Sequence, residues 1–167
     1  EARVRLLYDV PHNIAKLETH GRDMIWVHRK GSTRALDKRH MKDTPFSDTG
    51  QPVLIPGSMG TASYVLAGVE TGVKSLYSVN HGAGRVMSRT AAAGGRKGRG
   101  HRREAAVSDQ EFARSMEGVH LIAADRRSVK EEAPAAYKDI DAVIATVVAA
   151  GLALPVARLR PKAVLKG

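Results

Sequence analysis

His81-Gly82-Ala83-Gly84-Arg85 leaves an extended run at Ser75 to Asn80, and upstream of it stands a second small-residue stretch, Pro56-Gly57-Ser58-Met59-Gly60-Thr61-Ala62-Ser63. Glycine and alanine beside His81 leave its imidazole unshielded and let backbone N–H groups approach an anion that larger side chains would hold away. A Gly-x-Gly pair alone marks ordinary turns far more often than catalytic ones. The weight therefore rests on the combination of histidine, small neighbours and a hydroxyl-bearing loop.

Working outward, Val53 to Ile55 reads as a short buried strand running into the Pro56 to Ser63 loop, and Ser63 to Ala67 as extended again. Arg3 to Val10 alternates aliphatic and charged residues until Pro11 stops the ladder, which predicts a strand ending at His12. Asn13 to Thr19 is expected as a short helical turn, Asp23 to Arg29 as a strand closed by Gly31, and Thr33 to Gln51 as loop with at most one helical turn. Beyond the histidine motif, Arg85 to Ala93 has helical composition. Ser108 precedes Glu111 with the spacing of a helix cap, predicting a helix from about Asp109 to Met116.

Ile140, Val143, Ile144, Val147 and Val148 fall at helical spacing within Ala135 to Ala150, with Gly151 as the stop, and Val156 to Leu165 reads as a strand-like tail containing Pro161. Helices and strands mix without a βαβ cadence, so the expected class is α+β with mixed sheets and helices. Residues 94–103, Gly-Gly-Arg-Lys-Gly-Arg-Gly-His-Arg-Arg, form a basic glycine-rich insert, expected as a solvated loop.

The chain's 167 residues suit one domain, and 43% hydrophobic residues supply an ordinary core. Aromatic residues are only 4%, which argues against a binder that stacks bases on aromatic platforms. A net charge of +10 favours polyanionic partners, nucleic acid first among them, because neutralising phosphates releases counterions. The absence of cysteine excludes disulfides and thiolate metal sites within this segment. No membrane span or leader is legible, so a cytoplasmic protein is the default expectation.

A histidine attacks phosphorus through a neutral ring nitrogen with a free lone pair, and His81 has the identity and the space for this. The bland alternative is a turn histidine satisfied by hydrogen bonds. Gly57, Ser58, Met59, Gly60 and Ser63 offer amides and hydroxyls for a nucleotide's phosphate or sugar, although taken alone a bare structural turn is the commoner explanation; no Gly-Lys-Ser/Thr ends the loop, so it is not a Walker loop. His12, alone after Pro11, is by itself more often structural than a metal ligand. Arg29, Lys30, Arg34, Arg85 and Arg89 are a scattered basic set from which RNA-phosphate contacts could be drawn, and the remaining histidines read as structural or solvent-facing.

These motifs, with Asp9-Val10-Pro11-His12-Asn13-Ile14-Ala15-Lys16, Val27-His28-Arg29-Lys30-Gly31, Met116-Glu117-Gly118-Val119, Glu132-Ala133-Pro134-Ala135-Ala136-Tyr137-Lys138-Asp139-Ile140 and Val164-Leu165-Lys166-Gly167, closely resemble the RtcB family of RNA ligases nearly end to end. Family polypeptides are much longer and the matches belong to their C-terminal part, so residues 1–167 are expected to be the C-terminal portion of a single RtcB-like catalytic domain whose N-terminal part is missing. The resemblance implies an RtcB-like fold. It makes His81 the guanylylated histidine, His12 a manganese ligand, and Asn13 a guanylate contact. It likewise implies guanylate-binding roles for Pro56, Gly57, Ser58, Met59, Ser63, Gly82, Ala83 and Gly84, for Tyr137 against the guanine ring, and for Lys166.

The implied activity is GTP- and Mn²⁺-dependent joining of RNA 3′-phosphate or 2′,3′-cyclic phosphate ends to 5′-hydroxyl ends through a histidine–GMP intermediate, in tRNA splicing or RNA repair. Implied partners are tRNA halves or broken RNA, and an archease-like activator; a monomer is expected. Two Mn²⁺ sites cannot be completed by His12, so this segment alone is expected to be inactive. The competing readings are a basic RNA-binding domain without ligase activity and a serine hydrolase using Ser58 or Ser63, the latter lacking a Gly-x-Ser-x-Gly elbow.

Overall fold

In the computed structural model, which describes residues 5–96 and 102–166, Asn13–His20 (β1) and Asp23–Lys30 (β2) form an antiparallel ribbon. The two-residue connection Gly21-Arg22 has its positive φ at Gly21, the position where a tight hairpin turn demands it. This corrects two expectations. Arg5 to His12 is not a strand: Leu6 and Leu7 are exposed, so its alternation has no buried face to form against. Asn13 to Thr19 is strand rather than helical turn, because pairing with β2 satisfies its backbone, and Ile14, Glu18 and His20 alternate inward as period two requires. Leu17, Met24 and Trp26 lie on the exposed outer face, and Leu17 stands directly opposite Trp26.

The chain divides into two compact units. The first holds the residues up to Ile55, Tyr64–Gly82 and Ile144–Ala157, and the second Pro56–Ser63, Ala83–Val143 and the residues from Arg158 onward.

In the first unit, Ser32–Arg34 (β3) follows β2, and a single 3₁₀ turn at Lys38–His40 is capped by the Asp37 carboxylate, which accepts from the Arg39 N–H. Pro52–Ile55 (β4) pairs antiparallel with Ser63–Gly68 (β5), and a 3₁₀ segment at Glu70–Ser75 leads to Ser78–Asn80 (β6), the antiparallel partner of β3. Extended structure therefore begins at Ser78 and not at Ser75, where the chain is still helical. Val27, Ala35, Val53, Ile55, Leu66, Tyr77 and Val79 are buried.

In the second unit, Ser88 caps Arg89–Ala93 (α1) by accepting from the Ala91 N–H. Gly95–Arg96 (β7) pairs antiparallel with Arg102–Arg103 (β8), so backbone hydrogen bonds bridge the ends of the basic stretch where a loop was expected; residues 97–101 of that stretch lie outside the described residues. Asp109–Ser115 (α2) starts where the sequence places it, with the Ser108 hydroxyl accepting from the Glu111 N–H. His120–Ala123 (β9), Arg126–Glu131 (α3) and a 3₁₀ turn at Pro134–Ala136 follow. Ala92, Val107, Ala133 and Ala136 form one buried cluster with Met87, Phe112 and Tyr137 against it. Met59, Met116 and Val129 form another, flanked by Leu121 and Val164.

Ile140–Ala149 (α4) is the longest helix among the described residues; it buries Ile140, Ile144 and Val147 and ends at Gly151 with φ of 67°. The expected single tail from Val156 to Leu165 is in fact two strands. Ala153–Leu159 (β10) joins the sheet of β5 and β4, and Ala163–Lys166 (β11) pairs in parallel with β9, with Pro161 in the break between them. The architecture is mixed α+β, built of several small sheets and short helices. No helix among the described residues is long and apolar enough to cross a membrane.

Candidate functional site

Two ladders of the first unit end on histidines. The β1–β2 register pairs Asn13 with Lys30, which brings His12 opposite Gly31; the β3–β6 register pairs Ser32 with Asn80, which brings Gly31 opposite His81. Accordingly the Gly31 N–H donates to the His12 carbonyl at 3.0 Å, and the His81 N–H donates to the Gly31 carbonyl at 3.3 Å. The two imidazoles stack, with ring centroids 4.5 Å apart and planes 8° from parallel. The side-chain amide of Asn80 donates to the Gly82 carbonyl at 2.8 Å, which fixes the backbone just after the histidine. His12, Asn13, His81 and Gly82 thus gather in one place.

The other predicted site residues belong to the second unit. In the Pro56 to Ser63 loop the Ser58 N–H donates to the Thr61 hydroxyl at 2.7 Å, and the two hydroxyls are 2.8 Å apart. Met59 is buried in the cluster of Met116 and Val129, so only its backbone is available to a ligand. A Cβ on Gly57 would fall on the Ala62 carbonyl, and one on Gly60 on the Ser115 carbonyl. Internal close packing therefore accounts for both glycines. The Ala83 N–H donates to the Pro56 carbonyl at 3.1 Å, and the Gly84 carbonyl accepts from the Lys138 N–H at 2.9 Å. Those bonds, with the bridge between Arg85 and Tyr137, lay the glycine motif between the loop and the Tyr137 segment.

Tyr137 follows a 3₁₀ turn and does not begin a helix; α4 begins at Ile140. Its hydroxyl donates to the Glu132 carboxylate and accepts from Arg85 at 3.0 Å, and the Arg85 guanidinium sits 4.9 Å from the ring centroid. Burial alone would raise the Glu132 carboxyl, but hydrogen bonds from Tyr137 and Arg89 and the charges of Arg85 and Arg89 outweigh it, leaving the group below its ordinary range. The Tyr137 phenol is pushed up, by burial first and then by its bond to Glu132. Lys166 ends β11, opposite Ala123, and its carbonyl accepts from the Ala124 N–H, so the penultimate position is tied into a sheet and is not a frayed end.

The basic set is corrected by burial. Arg29 is 2% exposed and donates to both Glu18 carboxylate oxygens at 2.7 and 2.9 Å, to the Ser78 hydroxyl and to the Leu76 carbonyl, which removes it from any phosphate. Arg34 lies 3.6 Å from the same carboxylate, and His20 3.2 Å. Burial would raise the Glu18 carboxyl; the bonds from Arg29 and His20 and the charges of Arg29 and Arg34 overcome that and hold it below the usual range. Arg85, half-buried, has its guanidinium engaged by the Met87 and Glu131 carbonyls besides Tyr137. Sequence reading missed the Glu18–Arg29 pair; the signal available was that both residues sit at inward positions of the period-two pattern.

Among the described residues no group of three or more His, Cys, Asp or Glu side chains is arranged to hold a metal, so these residues by themselves do not fit a manganese centre. What the arrangement offers is a histidine at a strand end, stacked on a second imidazole and followed by small residues.

The chain belongs to the RtcB family: the profile described as tRNA-splicing ligase RtcB matches residues 1–167. It is 48% identical over 174 residues to the tRNA-splicing ligase RtcB of Thermococcus kodakarensis, covering all of this chain and 34% of that protein. It is 45% identical over 169 residues to the tRNA-splicing ligase RtcB of Aeropyrum pernix, covering 98% of this chain and 33% of the relative. With the RNA-splicing ligase RtcB of Mycobacterium tuberculosis it shares 48% identity over 167 residues, 97% of this chain and 36% of the relative. The chain thus spans about a third of the length of these relatives.

Proposed function

We propose that this segment carries the nucleophile and part of the nucleotide pocket of an RtcB-type RNA ligase, which joins RNA 3′-phosphate or cyclic phosphate ends to 5′-hydroxyl ends in tRNA splicing or RNA repair. The observation that carries the reading is the stacked pair His12 and His81 at the foot of Gly82-Ala83-Gly84. The relatives' names, tRNA- or RNA-splicing ligase, supply the substrate class.

In the proposed reaction a lone pair of the His81 imidazole attacks the α-phosphorus of GTP; an N–P bond forms, the bond to the β-phosphate oxygen breaks, and pyrophosphate leaves. Stacking on His12 holds the ring plane, so the attacking nitrogen is aimed before substrate arrives. GMP then passes from His81 to an RNA 3′-phosphate, and the 5′-hydroxyl of the second end attacks that phosphorus and expels GMP. This splits one hard displacement into easier ones, because GMP turns a phosphate oxygen into a leaving group.

Pro56, Gly57, Ser58, Met59, Ser63, Gly82, Ala83 and Gly84, together with Asn13, Tyr137 and Lys166, are the residues we assign to guanylate. His12 is assigned one position on manganese, the other ligands coming from outside the described residues, and the segment alone is inactive. An archease-like activator, a monomeric state and a cytoplasmic site belong to the same reading.

The test is a chimera joining this segment to the upstream part of the Thermococcus kodakarensis relative. Incubated with GTP labelled at the α-phosphate and Mn²⁺, it should take up acid-labile label that His81→Ala abolishes. Label that persists in His81→Ala would overturn the reading.

A further inference from the structure

Gly31 is the one residue standing between β2 and β3, and it is the register partner of both histidines. Its N–H extends the first ladder to the His12 carbonyl and its carbonyl extends the second to the His81 N–H, so two sheets are indexed to each other at a single peptide unit. Its φ of 68° lies in the left-handed region, where an L side chain is strained. The space is also bounded. A Cβ on Gly31 would stand 3.6 Å from both Nδ1 and Cε1 of His81, in contact with that edge of the ring.

We propose that Gly31 is a positioning residue for His81: its left-handed backbone sets the two ladders in phase so that the His81 ring lies flat on His12, and no side chain larger than a methyl could stand there without reaching the Nδ1–Cε1 edge. The proposal rests on the reading of His81 as the phosphoryl-accepting group. It adds a requirement that lies outside the histidine motif and outside the nucleotide loop. Neither the His12–Gly31 bond nor the Gly31–His81 bond uses a side chain, so the requirement is for the conformation of one residue and not for its chemistry. An alanine fits the space but resists the angle. A valine resists both, because its branches reach the ring. Asparagine enters the left-handed region more readily than other side chains and should restore part of the phase.

The stack itself supplies a readout independent of ligation. In the 167-residue chain, NMR should show the ring protons of His81 displaced upfield relative to His12→Ala, and those of His12 displaced relative to His81→Ala, as stacked rings require. Gly31→Ala should reduce both displacements, Gly31→Val should abolish them, and Gly31→Asn should keep more than alanine does. In the chimera, single-turnover labelling at saturating GTP should fall by about 10²-fold in Gly31→Val, in line with the loss seen for misplaced reacting groups, while the GTP concentration for half-saturation changes little.

A merely structural glycine would lower the melting temperature but leave the ring displacements of the folded protein and its labelling rate intact, and that result would overturn the proposal. Should Gly31→Val fail to fold, the alanine and asparagine variants decide: equal displacements and equal rates in wild type, alanine and asparagine proteins would overturn it as well. The two readings fail separately. Label that survives His81→Ala defeats the proposed nucleophile, whereas unmoved rings in the Gly31 variants defeat the positioning role with the nucleophile intact.

Discussion

The imidazoles of His12 and His81 lie face to face, 4.5 Å between centroids, because the ends of two separate antiparallel ladders both index to Gly31. Stacked aromatic pairs contribute roughly 0.5–1.5 kcal/mol beyond the area they bury. A double-mutant cycle of His12→Ala and His81→Ala, followed by urea unfolding, should return a coupling energy of about 1 kcal/mol. Additive losses would mean that the contact carries no energy of its own.

Glu18 and Arg29 form a two-pronged pair whose side chains are 9% and 1% exposed. Removing one partner of such a pair leaves an uncompensated buried charge, at a cost of about 3–5 kcal/mol. Glu18→Ala should therefore destabilise far more than the paired change of Glu18→Leu with Arg29→Met, which replaces both charges by apolar groups. Denaturant midpoints of the single and double variants measure this.

The same carboxylate makes stability depend on pH. Glu18, Glu132 and Asp37 are all held below their ordinary values of 4.5, 4.5 and 3.8. A depressed carboxylate stabilises the fold fully above its unfolded value, and that stabilisation disappears as pH falls through the lower folded value. Thermal melts should stay level down to the ordinary carboxylate range and decline below it. In Glu18→Gln the decline should be shallower, starting from a lower plateau; an unchanged slope would show that Glu18 does not contribute.

Gly57 and Gly60 are pressed against carbonyl oxygens of Ala62 and Ser115. Gly60→Ala should destabilise by about 1–3 kcal/mol, the usual range for forcing a methyl into packed surroundings. Equilibrium unfolding gives the value directly. A neutral outcome would mean that the loop shifts freely and that the Ser115 carbonyl does not confine Gly60.

Tyr137 holds the Glu132 carboxylate, which also receives Arg89 at 2.9 Å. Tyr137→Phe keeps the ring and removes one donor, so a loss near 1 kcal/mol is expected. Its second effect is on titration. Without the phenol the Glu132 carboxyl should move up towards its ordinary value, which carbon-13 NMR of the carboxyl group would follow.

Short-range features were legible from the chain. The Ser108 and Glu111 spacing marks the start of α2, the spacing of Ile140, Val143, Ile144, Val147 and Val148 marks α4, although of these Val148 is exposed, and Gly151 marks its end. Each depends on hydrogen bonds or contacts within about one helical turn, so the residues that decide it are neighbours in sequence. The ribbon was misread for the opposite reason. Ile14 and Leu17 share a helix-like spacing, and only pairing with Asp23–Lys30 across the Gly21 turn makes their segment a strand.

What the sequence by itself determined is the α+β class, the small-residue motif around His81, the capped start of α2 and, through the motifs quoted along its length, the RtcB resemblance that the family match bears out. The tertiary structure alone decided that Arg29 is sealed against Glu18, that Tyr137 is bound to Glu132, and that His12 and His81 share one stack. The physical reason is register: strand pairing joins residues far apart in the chain, and nothing local in either partner records which residue will stand opposite.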